Sequence, residues 1–207
     1  MKVLMVNGSS HEGCTFTALS EIGKILEKNG IEWEIFNAGG NPLRDCIGCG
    51  ACKKLDCQCV FDDDVVNEFL RKAKEADGYI FGSPVYFAHP TGRILSLLDR
   101  AFVAGKKIFT HKPAACITSA RRGGTTASYD VLNKYLGIAE MPIVSSSYWN
   151  MVHGNTPEQV LQDEEGMQTM KNLGENMSWI LKCIDIAKKN GVNPPENITT
   201  VRTNFVR

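Results

Sequence analysis

At 207 residues the chain is sized for one domain with a single buried core. Lys and Arg number 23, and so do Asp and Glu, giving a formal net charge of zero. That balance excludes a general nucleic-acid or anionic-membrane binder, which needs a basic excess, and speaks against an acidic shuttle that docks on basic partners.

No apolar run approaches the length of a membrane span. The opening MKVLMVNGSS is too short in its apolar part for a signal-peptide core, so the expected setting is the cytoplasm. Thiols there are kept reduced, which makes the chain's cysteines better suited to metal binding or redox work than to structural staples.

In chain order, KVLMVN (2–7) is a short buried-strand pattern ending at Gly8. Residues 15–29 place Phe16, Leu19, Ile22, Ile25 and Leu26 at helical spacing, and Asn29-Gly30 closes that helix. WEIFN (33–37) is the second strand, followed by the cysteine-rich stretch. A helix over 64–76 turns Val65, Val66, Phe69, Leu70 and Ala73 inward; Asp62 or Asp63 is the expected cap of that helix. Then come a strand at 77–86, a helix at 91–102, a strand at 113–120, a helix at 128–138, a fifth strand at 142–149 (PIVSSSYW), and one long or broken helix over 158–190. The methionines of that last helix, Met167, Met170 and Met177, read as core or interface filler. The tail NPPENITTVRTNFVR is irregular. The expected division is a domain over 1–190 with a Cys-rich insert at 45–60, and a tail over 191–207.

Five strands alternating with helices predict a three-layer α/β sandwich, a parallel sheet covered on both faces. Ligands of such sheets sit outside the carboxyl ends of the strands, where the strand order reverses. The first of these loops, GSSHEGCT (8–15), has the glycine spacing of a P-loop, but Cys14 stands where the lysine must be. Ser9, Ser10, Thr15 and Thr17 supply hydroxyls at a helix N-terminus, which suits a single terminal phosphomonoester; a capped turn with no ligand is the competing reading.

GSSHEGCT resembles the phosphate loop of flavodoxin-like NAD(P)H-dependent FMN reductases, with His11 and Cys14 replacing the usual Arg and Asn. The resemblance implies FMN contacts from Ser9, Ser10, His11, Gly13, Cys14, Thr15, Phe16 and Thr17. Cys14 stands at a helix N-terminus, where its thiol pKa is expected to fall, but the favoured reading is a small filler. GSPVYFAHPTGRILSLLDR (82–100) resembles the segment that runs along the flavin ring, implying Ser83, Pro84, Val85, Tyr86 and Phe87. TSARRGGTT (118–126) resembles the fourth-strand loop, implying Ser119, Arg121, Arg122, Gly123 and Gly124, with an Arg facing the reduced flavin or a nicotinamide nucleotide. SSSYWNMVHG (145–154) and the helix after it resemble the iron-sulfur flavoproteins of this family, implying Tyr148, Trp149, Asn150 and His153 on the substrate side. The family's sheet has five parallel strands in the order 2-1-3-4-5.

Cys46, Cys49 and Cys52 form C-x-x-C-x-x-C, compact enough for three thiolates to wrap one face of a [4Fe–4S] cube. Cys57 and Cys59 both offer a fourth ligand. Iron-sulfur flavoproteins carry a similar run, and CVFDDD (59–64) matches the ending seen in many relatives, so the resemblance implies Cys59 as fourth ligand and Cys57 as alternate. Zinc, and free thiols or a reversible disulfide, remain competing occupants. The resemblance further implies electrons from NAD(P)H or a ferredoxin-like donor passing to a small acceptor such as a quinone, a flavin or an aromatic compound. An electron-transfer module relaying to a protein partner is the alternative. It also implies a homodimer or homotetramer, with the cysteine loop near a flavin across a subunit interface.

Overall fold

The computed structural model describes residues 1–201, 203 and 205. Its centre is a parallel sheet of β1 (Lys2–Asn7), β2 (Glu32–Asn37), β3 (Gly78–Tyr86), β5 (Ala114–Ala120) and β6 (Met151–His153), in the order β2-β1-β3-β5-β6. A two-residue strand β4 (His89–Pro90) pairs antiparallel with the end of β3. Counting only the parallel strands, this is the expected order 2-1-3-4-5.

Both sheet faces are covered, which is why the central strands β1, β3 and β5 are buried along nearly their whole length, whereas the edge strand β2 keeps Glu32 and Glu34. On one face lie α1 (Cys14–Lys28), α5 (Pro157–Gln162) and α6 (Glu164–Lys189), packed on Val3, Met5, Ile80, Ala115 and Ile117. Met167, Met170 and Met177 sit in this core, as filler does. On the other lie α2 (Val66–Glu75), α3 (Gly92–Phe109) and α4 (Thr125–Ile138), packed on Leu4, Val6, Tyr79, Phe81 and Cys116. Phe102 and Phe109 stack there with centroids 4.4 Å apart, and Phe69 closes on Phe36 at 5.4 Å.

Several boundaries differ from the sequence reading for identifiable reasons. The fifth strand is not 142–149. That stretch makes only an isolated bridge, Ala114 to Ile143, and the strand forms at Met151–His153. Its serines are drawn to α6 instead: Ser146 donates to the Thr169 carbonyl (2.6 Å), Asn176 to the Ser145 carbonyl (2.8 Å) and Asn172 to Ser147 (2.9 Å). The third helix runs on to Phe109 through a kink at Gly105. The last helical region breaks at Asp163, whose carboxylate caps α6 by accepting from Gly166 N–H (3.0 Å).

The expected cap of α2 is also corrected. Asp62 accepts from Asn67 and Asp63 pairs with Arg44, so neither caps the helix; Asp64 accepts from the Val66 N–H (3.1 Å). No regular element follows Lys189 among the described residues. The part of the expected tail at Arg202, Asn204, Val206 and Arg207 lies outside them.

Candidate functional site

The loops after β1, β3, β5 and β6 meet at the carboxyl ends of the strands. Register fixes this: Asn7 lies opposite Gly82, Ser83 opposite Thr118, Pro84 opposite Ser119, and Ala120 opposite His153. Cross-loop hydrogen bonds then lock them. Gly8 N–H donates to the Gly82 carbonyl (2.8 Å), Thr91 hydroxyl to the Gly8 carbonyl (2.8 Å), and Thr91 N–H to Ser83 Oγ (3.0 Å). Thr15 and Ser119 hydroxyls pair at 2.7 Å, both buried.

Asn7 shapes the first loop from beneath. Its amide donates to the His11 carbonyl (3.1 Å) and to Asn37 (2.9 Å), and its oxygen accepts from Ser9 N–H (3.2 Å). The sequence reading passed over Asn7 as a strand end. Above it, Ser10 Oγ meets His11 Nδ1 at 3.2 Å, and both side chains are exposed. Gly13, the residue before α1, supplies no side-chain cap to the first-turn N–H groups of that helix, and the hydroxyls of buried Ser9 and Thr15 and of exposed Ser10 lie along the same loop and first turn. Thr17 spends its hydroxyl on the Gly13 carbonyl (3.1 Å). Uncapped N–H groups and hydroxyls at a helix N-terminus suit the FMN phosphate.

Cys14 corrects the expected fall of its thiol pKa and fits the favoured filler reading. Burial pushes its thiol up, outweighing a backbone hydrogen bond that pulls it down, and Glu158 adds to the rise. Its Sγ contacts the Gly154 carbonyl at 3.6 Å. That is the environment of a packed filler, not of an activated thiolate.

Phe87 and Ala88 form the turn between β3 and β4, both at positive φ and Phe87 fully exposed, with Tyr86 half exposed at the end of β3. Gly124 (φ 96°) lies beneath them: a Cβ there would sit 2.7 Å from Ala88 Cα and 2.9 Å from Val85 Cγ1. Arg121, Arg122 and Gly123 are exposed on the same rim, ahead of α4. Tyr148 and Trp149, half exposed, meet edge to face at 4.8 Å, and His153 beside them donates its backbone N–H to Asp163 (2.6 Å). Asn150 does not join them. It is fully buried, donates its amide to the Cys116 carbonyl (3.1 Å) and accepts Thr118 N–H on its backbone (3.0 Å). It joins the start of the last strand to β5 from within the core.

The second feature is the cysteine loop. Cys46, Cys49, Cys52 and Cys59 line one cavity of about 200 Å³, closed by Phe61, Val103 and Ala104. Cys57 is outside it, 3% exposed and packed in the core near Gly105. Asp56 anchors this part of the loop to α3 and α2 through Lys107 (2.8 Å) and Lys74 (3.0 Å), which lower its carboxyl to about 2.

Two residues missed by the sequence reading hold the Cys59 end. Asn67 of α2 binds both backbone groups of Cys59 and also donates to the Phe61 carbonyl (3.2 Å). Arg100 of α3, 1% exposed, is ion-paired to Asp64 and reaches Cys59 Sγ with Nε at 3.4 Å. Burial would pull this guanidinium down; its hydrogen bonds to Asp64 and Cys59 outweigh that and hold it up. The signal for Arg100 was in the sequence: it is a charge amid the buried stripe of Leu97, Leu98, Ala101 and Phe102.

Four cysteines line this mostly apolar cavity, together with Asp45, Lys53 and Arg100, and that is the ligand type and number an iron-sulfur cluster takes. Among the described residues no three His, Cys, Asp or Glu side chains are gathered as a single-ion centre.

A parallel α/β sandwich with a hydroxyl-rich loop after its first strand defines the flavodoxin class of fold. A flavodoxin from the domain Archaea aligns with a TM-score of 0.59 at 14% identity, covering 88% of this chain and 99% of that one. The NADPH-dependent FMN reductase model matches residues 1–156, and the chain belongs to that family, whose members are flavin-dependent oxidoreductases. An iron-sulfur flavoprotein of Methanocaldococcus jannaschii is 32% identical over 196 residues, covering 89% of this chain and 99% of its own. Another, from Archaeoglobus fulgidus, is 32% identical over 176 residues, covering 83% and 86%. No helix among the described residues is long and apolar enough to cross a membrane.

Proposed function

We propose that this chain is an FMN oxidoreductase carrying a [4Fe–4S] cluster, and that it passes electrons from NAD(P)H or a ferredoxin-like donor to a small acceptor such as a quinone, a flavin or an aromatic compound. The observation that carries the reading is the single cavity lined by Cys46, Cys49, Cys52 and Cys59, with Cys57 turned into the core. FMN would supply hydride and one-electron chemistry, and the cluster one-electron chemistry.

The chain's own residues do the positioning. Ser9, Ser10, Thr15 and the N-terminus of α1 hold the phosphate, with His11 beside it. Ser83 to Phe87 and Ser119 to Gly124 form two walls for the ring, and the Thr15–Ser119 hydroxyl pair ties the phosphate loop to the second. Arg121 and Arg122 offer positive charge to a reduced ring or to a nucleotide phosphate. Tyr148, Trp149 and His153 bound the side where an acceptor enters. A cytoplasmic setting, which keeps the thiols reduced, and a homodimer or homotetramer belong to the same reading.

The test is the iron, acid-labile sulfide, zinc and flavin content of protein purified without oxygen, then NAD(P)H oxidation with a panel of acceptors. About four iron and four sulfide per chain with FMN are expected. Flavin without metal would sink the cluster, and no turnover with any acceptor would sink the reductase. A relay to a protein partner is the second reading. It is favoured by the exposed Ile47, Val60 and Val103 around the cavity mouth, an apolar rim on which a protein can dock.

A further inference from the structure

We propose that Arg100 sets the reduction potential of the cysteine-held cluster, raising it by donating an N–H from a fixed guanidinium to the Cys59 sulfur. The inference rests on the cluster reading above.

Arg100 is the largest fully buried side chain among the described residues. Burying a charge is costly, and an apolar residue in the same stripe of α3 would fill the space at less cost. Each arm of the guanidinium is engaged. One terminal nitrogen binds the Asp64 carboxylate and the Arg44 carbonyl (3.4 Å), and the other the Phe61 carbonyl (3.0 Å). The group is planar, so two anchored ends dictate where Nε points, and it points at Cys59 Sγ, 3.4 Å away. Phe61, over which Arg100 lies with 6.0 Å between Cζ and ring centroid, lines the same cavity as Arg100 and Cys59.

Taking up one electron adds one negative charge to the cluster, spread over its sulfurs. A hydrogen bond to a ligand sulfur favours the more negative form, so the potential rises. Asp64 opposes this: it fixes the guanidinium and offsets its charge. The pair therefore acts as one tuning element, with Arg100 raising the potential and Asp64 limiting the rise. No proton or further reactant enters. A purely structural Arg100 would tie the loop to α3 and leave the potential alone.

The experiment is a redox titration of the anaerobically purified holoprotein, followed by its cluster spectrum, with iron content measured on the same samples. Arg100→Met removes the donor and the charge, and Arg100→Lys keeps a charge without the fork. Asp64→Asn keeps the Arg100–Cys59 contact and removes the offsetting charge. The midpoint is expected to fall in Arg100→Met, to fall less in Arg100→Lys, and to rise in Asp64→Asn. The Fe–S(Cys) stretching frequencies in resonance Raman should also shift in Arg100→Met.

Iron-loaded variants that keep the wild-type midpoint would overturn the inference and leave the cluster reading standing. Should Arg100→Met fail to hold iron, Arg100→Lys and Asp64→Asn decide: an unmoved midpoint in both overturns it. A wild-type preparation with flavin and no iron overturns the cluster reading and this inference together.

Discussion

Asn67 and Cys59 exchange two hydrogen bonds: the Cys59 N–H donates to Asn67 Oδ1 at 2.8 Å, and Asn67 Nδ2 donates to the Cys59 carbonyl at 2.9 Å. One buried amide on the first turns of α2 thus fixes the backbone of the last cysteine of the loop, with Asp62 and the Phe61 carbonyl as its further acceptors. The Cys59 end of the cavity is built by the protein, independently of what the cavity holds. Asn67→Ala leaves the Cys59 N–H and carbonyl without their partner. At about 1–3 kcal/mol for each buried group so abandoned, the expected loss is about 2–6 kcal/mol. Urea unfolding of the variant should show it, with iron content falling in parallel. Wild-type stability would mean that solvent replaces the amide freely.

The two candidate fourth ligands separate by position. Cys59 lines the cavity and Cys57 packs in the core at positive φ. Cys59→Ala is expected to lose most of its iron while keeping flavin. Cys57→Ala should keep the iron of the wild type, with a loss of about 1 kcal/mol in stability from the smaller core side chain. The reverse pattern would show that the loop rearranges to bring Cys57 in.

Gly124 links the two proposed walls of the flavin site. Its φ of 96° and the 2.7 Å approach of a Cβ to Ala88 Cα both exclude a side chain. Gly124→Ala must shift the 86–88 segment or the 121–124 segment, at a strain of about 1–3 kcal/mol. FMN titration by fluorescence quenching should give a Kd at least tenfold weaker, with the α/β core still folded by circular dichroism. An unchanged Kd would remove these two segments from the flavin site.

The sheet was legible because its signals are local. Apolar runs closed by Gly8 and Gly82, and helical spacing between them, need no distant partner to be read. The last strand was not, because what decides it is distant. PIVSSSYW has strand-like composition, but Thr169, Asn172 and Asn176 of α6 hold its serines, and the buried Asn150 side chain takes the Cys116 carbonyl that a strand N–H would otherwise bind. In the cysteine loop the spacing pointed to a cluster and left Cys57 and Cys59 open; family resemblance favoured Cys59. The supports of that cysteine come from α2 and α3, 8 and 41 residues further along the chain. Helical periodicity marks Arg100 as odd without saying what it faces. For Asn67 no pattern in the sequence gives a signal, since a single Asn in an amphipathic helix reads as surface.

Stability should fall at alkaline pH, and the sign follows from two buried acids. Burial alone lifts the Cys116 thiol above its ordinary 9.0. It also lifts Tyr79, chiefly by desolvation and then by the charge of Asp77, above 10.0. Both stay protonated in the folded chain while the unfolded chain releases its protons at the ordinary values. Between those values and the raised ones the unfolded state binds fewer protons, so each unit of pH there favours unfolding. Below pH 9 the two groups are protonated in both states and contribute no slope. At about pH 10.5 the expected loss is about 2 kcal/mol from Cys116 and under about 1 kcal/mol from Tyr79, at 1.36 kcal/mol per unit. Urea midpoints measured at about pH 8 and about pH 10.5 on the FMN-loaded protein test this. Cys116→Ala, paired with its own reference at the lower pH, should show a shallower slope. An equal slope in that variant would assign the alkaline loss to the other titrating groups.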